Sequence, residues 1–280
     1  MANPANNPLF KHFRQPAVYL RLPSRGKFYP DEAIDFPVSG DIPVYPMTVK
    51  DELTLKTPDA LMNGEGMAQV VVSCCPNIKD PWAVPAVDVD SIFIAIRLAS
   101  YGEGMEIKTQ CPHCKADNEH TIDLRYLLDN IKYADYSTPV QIEGLRFNFK
   151  PQTYKDVNDL NIISYEEQRL IEGIVNNPNL SDEEKAAKFK ESFEKLNAMT
   201  VNSIGVSIDS IVTEDGTAVN NRQQINEFLQ NCSRDMFTAI KQNIDTLINQ
   251  NKMDPVNLSC EECTKEYQSN LTFDQSNFFG

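Results

Sequence analysis

Residues 105–124 read MEIKTQCPHCKADNEHTIDL, and residues 255–273 read PVNLSCEECTKEYQSNLTF. Each stretch carries a Cys-x-x-Cys pair, Cys111 with Cys114 and Cys260 with Cys263. The flanks match as well. Ile107 and Val256 stand four residues before the first cysteine of each pair. Ile122 and Leu271 stand eight residues after the second, and Leu124 and Phe273 ten after it. Apolar positions at a period of two on both sides of a tight turn predict two short strands around each knuckle.

The spacing has a chemical reason. Two residues between cysteines let both thiolates turn toward one ion, and tetrahedral zinc takes four such donors at about 2.3 Å. Two equivalent knuckles predict one split zinc ribbon with Cys111, Cys114, Cys260 and Cys263 as ligands of one structural Zn2+. A closed all-sulfur site leaves no open position for catalysis, and it couples metal binding to folding. Redox dithiols share the Cys-x-x-Cys spacing, but neither pair here opens a helix after a strand. His113 and His120 read as surface residues. Cys74, Cys75 and Cys232 read as buried structural thiols.

Outward from the knuckles, the pattern predicts an α+β fold in which helices dominate. An extended β arm is expected over 1–46, where eight prolines argue against long helices. Its strands would be Ala17–Leu22 and Ile42–Tyr45. A helical segment is expected over 47–104, with a helix start at Thr48-x-x-Asp51, another at Pro58 carrying Leu61 and Met62, and a buried helix from Asp90 to Ser100. The ribbon halves would be 105–125 and 254–274. Between them, 126–253 should form a hairpin turning at Glu143–Gly144 plus a helical insertion. A capping box at Ser181-x-x-Glu184 and helices over 222–230 and 234–251 belong to that insertion.

Composition narrows the function. The formal net charge is −14, from 26 basic and 40 acidic side chains, which opposes general binding to a phosphate backbone. No apolar run is long enough to span a bilayer. There is no H-E-x-x-H, Walker loop or G-x-S-x-G, and histidines number only three, so no enzyme is expected. The aromatic C-terminus, NFFG, should tuck into the body or act as a docking peptide.

With NPLFKHFRQPAVYLRLPSRGKFYP at residues 7–30, especially LPSRG-x-x-Y, and with the CPHC and CEEC knuckles, the chain resembles the baseplate hub protein family of T-even-like contractile-tailed bacteriophages. The resemblance implies a structural or assembly protein of the tail baseplate hub. Its partners would be other hub and tail proteins, met in the host cytoplasm during assembly or in the virion baseplate. It also implies a docking role for Arg21, Pro23, Ser24, Arg25, Gly26 and Tyr29; a structural turn is the competing account of the same residues. A zinc-ribbon nucleic-acid-associated regulator and a thiol oxidoreductase are the alternative functions.

Overall fold

Proline density ends at Pro46, and the helices begin at once. Thr48 caps α1 (Val49–Leu55) through a reciprocal box with Asp51. That pairing satisfies two backbone N–H groups which a helix start otherwise leaves open. The computed structural model describes residues 8–57, 64–177, 180–271 and 278–279. The expected helix start at Pro58, with Leu61 and Met62, lies outside them.

The chain divides into two units. One comprises Met1–Pro81, Asp88–Ile131 and Met253–Gly280; the other comprises Trp82–Val87 and Lys132–Lys252. Both helices and sheets occur in the chain, so the fold is mixed α and β.

In the first unit, β1 (Val18–Leu20) pairs antiparallel with β2 (Ile42–Val44). Val18, Leu20, Ile42 and Val44 are buried, whereas Tyr19 points outward, as alternation along a strand requires. Helix α2 spans Glu65–Cys74, and α3 spans Ala86–Tyr101. Helix α3 buries Ile92, Phe93, Ile94, Ala95, Ile96 and Leu98, too many consecutive positions for a one-faced helix, so it is a core element. Arg14 ties the N-terminal segment down by donating to the carbonyls of Pro46 and Ser73, and it lies 3.5 Å from Asp51.

Strands β3 (Gly104–Gln110) and β4 (Asp117–Asp123) form one antiparallel hairpin, β9 (Val256–Ser259) and β10 (Glu266–Ser269) another. Leu124 does not extend β4. Asp123 accepts hydrogen bonds from the N–H groups of Arg125 and Tyr126 and so starts helix α4 (Leu124–Asp129). The tenth-residue match between the two halves therefore fails at Leu124, and its counterpart Phe273 lies outside the described residues.

The second unit contains a four-stranded antiparallel sheet in the order β5 (Val140–Ile142), β6 (Leu145–Phe149), β7 (Ile208–Val212), β8 (Ala218–Val219). Between β6 and β7 the chain makes two long helices, α5 (Tyr154–Val175) and α6 (Asp182–Val206). Helices α7 (Arg222–Asn231) and α8 (Arg234–Gln250) follow β8. Phe147, Phe149, Ile208 and Ile211 from the sheet join Ile225, Leu229, Ile240 and Ile244 from the last helices in one apolar cluster. Burying each such side chain stabilises the fold by about 1.5–3 kcal/mol. Trp82 stacks on Tyr154 at 5.3 Å between ring centroids, an anchoring contact within this unit.

Candidate metal centre

The two knuckles fold alike down to single hydrogen bonds. In the first, Lys115 N–H donates to Cys111 O and Cys111 N–H to Ala116 O; in the second, Thr264 N–H donates to Cys260 O and Cys260 N–H to Lys265 O. The residue after each second cysteine turns left-handed, Lys115 at φ 65° and Thr264 at φ 57°. That turn lets the chain reverse while both thiols stay on one side.

The Sγ atoms of Cys111, Cys114, Cys260 and Cys263 lie within 4.8 Å of one another. Across the knuckles, Cys111 Sγ is 3.8 Å from Cys263 Sγ, and Cys114 Sγ is 3.6 Å from Cys260 Sγ. A disulfide needs about 2.05 Å, so all four are free thiols. A tetrahedron of sulfurs about 2.3 Å from a central ion has edges of about 3.8 Å. Donor type, number and spacing therefore fit one soft tetrahedral cation.

The electrostatics agree with that fit. Burial pushes the Cys111 thiol up, but the backbone N–H groups of Cys114 and His113 outweigh it, and the net shift is downward. The N–H groups of Cys263 and then Glu262 pull the Cys260 thiol down in the same way. Cys114 moves the other way. The N–H of Ala116 lowers its thiol, yet burial and the three neighbouring thiols prevail and raise it. Four sulfurs this close cannot all ionise alone, and a central cation would remove the conflict.

Other groups lock the halves together. Asn118, 2% exposed, accepts from Glu261 N–H at 2.8 Å and donates to Ala116 O. Tyr267 hydroxyl meets Thr109 Oγ1 at 2.6 Å and His120 Nε2 at 3.1 Å. His120 is thus half-buried, with its ring against Tyr267, while His113 is exposed. Among the remaining cysteines, Cys74 and Cys75 are buried and Cys232 is partly so. Neither Asn118 nor Tyr267 stands out in the sequence, because their partners are named only by the knuckle pairing.

The T4 bacteriophage base plate protein family matches residues 20–280. The chain belongs to that family. No curated protein and no solved structure is significantly similar to it. As a base plate protein it is a component of the phage tail, and its partners are other tail proteins. Among the described residues of this base plate protein, no helix is long and apolar enough to cross a membrane.

The N-terminal motif of the base plate protein divides in two. Ser24 and Asp88 are buried. Ser24 N–H and Oγ donate to the Asp88 carboxylate, and so does Tyr29 Oη at 3.0 Å. Gly26, at φ 78°, lets its N–H reach Ser24 Oγ, and an added Cβ would lie 3.1 Å from the Phe36 ring. Arg21 and Arg25 are exposed and Pro23 is half-buried; Arg21 pairs with Asp41 at 2.9 Å. At the other end, Phe278 and Phe279 are buried. Arg97 donates to Phe278 O, and Phe279 packs edge-on against Phe93.

Proposed function

We propose that the chain is a structural or assembly subunit of the baseplate hub, held in shape by one zinc ion on Cys111, Cys114, Cys260 and Cys263. The observation that carries the metal part is the four-sulfur cluster with edges of 3.6 and 3.8 Å. Its closed donor set gives the ion a structural task, and no catalytic step belongs to this reading. Family membership over residues 20–280 supports the assembly part. The chain would act through protein contacts in the host cytoplasm and in the finished tail. In the N-terminal motif, Arg21, Pro23 and Arg25 would meet the partner, while Ser24, Gly26 and Tyr29 shape the turn that presents them.

Two measurements test the proposal. Elemental analysis of the purified chain should find one zinc per chain, lost when any one of the four cysteines becomes Ser. A metal-free but fully folded chain would sink the zinc assignment. Mixed with purified hub proteins of the same phage, the chain should bind at least one, and Arg21→Ala with Arg25→Ala should weaken that binding by about tenfold. Binding confined to tail proteins outside the hub would refute the hub assignment.

A further inference from the structure

Helical hairpins usually put apolar side chains in the seam and charge outside. The α5–α6 hairpin inverts part of that order. Glu167 is 4% exposed, as is Ser192, and Lys195 Nζ reaches across to Glu167 Oε1 at 3.4 Å. Glu167 Oε2 has no hydrogen-bond partner among the described residues. Outside, Ile163 is 38% exposed and Leu170 is 51% exposed.

Ile163 and Leu170, seven residues apart, share one stripe of α5 with Asp159 and Glu166. Acidic and apolar side chains thus alternate along a line at helical spacing. Asp159 and Ile163 also line a cavity of about 90 Å³ with Asp156 from α5 and Met199 and Asn202 from α6. Helix α5 carries five acidic side chains against two basic ones.

We infer that this stripe and its cavity dock a basic, apolar-faced helix of another tail protein. The inference rests on the assembly reading above and names the surface and the partner chemistry. Apolar knobs from a facing helix would cover Ile163 and Leu170, and lysine or arginine side chains would meet exposed Glu166 and compete with Lys155, 2.8 Å from Asp159, for that carboxylate. A second copy of this chain is the wrong occupant. A two-fold contact sets this helix against its own copy, and with five acidic side chains against two basic ones on each, net negative charge would face net negative charge.

The test uses the full-length chain with each of the phage's other tail proteins, purified singly. The wild type should bind at least one. The exposed-site variants Ile163→Ser/Leu170→Ser and Glu166→Lys should each weaken that binding at least tenfold with unchanged thermal melting. An 18-residue peptide of leucine and lysine in helical pattern should compete for the groove, and its glutamate-for-lysine counterpart should not. Binding of a tail protein that both variants leave intact overturns the groove and spares the assembly reading. No binding by the wild type removes both. A self-association that the Ile163→Ser/Leu170→Ser variant abolishes would assign the stripe to a second copy and overturn the inference.

Discussion

Asp88 is fully buried, and burial pushes its carboxyl up to about 6, against the lowering effect of hydrogen bonds from Ser24 and Tyr29. A folded-state value above the unfolded one means that the native state holds the proton more tightly. Stability from this group is therefore fully present below about pH 4 and lost as pH rises through about 6. Asp88→Asn cannot ionise and lacks this slope. Between pH 4 and pH 7 the stability gap between variant and wild type should shift in the variant's favour, by up to about 3 kcal/mol. Urea denaturation at several pH values reads the shift, and a gap constant across that range would refute it. Ser24→Ala should cost about 1–3 kcal/mol, since it strips a donor from a buried carboxylate. The family resemblance implied docking for Ser24 and Tyr29, with a structural turn as the competing account of the same residues. Their inward orientation was not legible there, because the partner that turns them in lies 64 positions from Ser24.

Among the elements, those with local causes were legible. The turn at Glu143–Gly144 has φ of 48° and 85°, as a tight hairpin between β5 and β6 demands. The Thr48 and Ser181 boxes start α1 and α6 as their spacing implies. Helix α5 starts at Tyr154 because Thr153 and Asp156 supply both halves of a box. What could not be read was the pairing of β6 with β7 across two long helices, since hairpin signals are local and say nothing about which hairpins meet. The knuckles were the exception, for a repeated cysteine pattern marks both halves of a distant contact. Within them, Lys115 and Thr264 hold left-handed backbone that costs an L-residue about 1–2 kcal/mol. Thr264→Gly should remove that strain, offset in part by glycine's greater freedom in the unfolded chain. The net gain should be under about 1 kcal/mol, with the proposed zinc retained. Lys115→Val should lose stability, because a β-branched residue fits that backbone poorly. Chelator-challenge melting curves for the two variants decide it, and equal curves would show that the turn carries no strain.

Across the whole molecule, the chain leaves one unit after Ile131 and re-enters it at Met253, so the knuckles come from opposite ends of a long excursion. Each hairpin is two-stranded, and such hairpins are marginal alone. Met105, Ile122, Leu258 and Tyr267 are the buried apolar residues on their strands, too few to replace a metal clasp. The second unit has its own apolar cluster around Phe147, Ile211 and Ile240, built without any ribbon residue. If the proposed metal is that clasp, removing it at pH 7 should therefore act on part of the molecule only. Amides of β3, β4, β9 and β10 should lose hydrogen-exchange protection, whereas those of β6, β7 and α8 keep theirs. Protection unchanged everywhere would mean that the cluster does no structural work. Protection lost everywhere would mean that the excursion folds only when its ends are clasped, which would make the proposed metal a condition for the whole fold instead of for the ribbon alone.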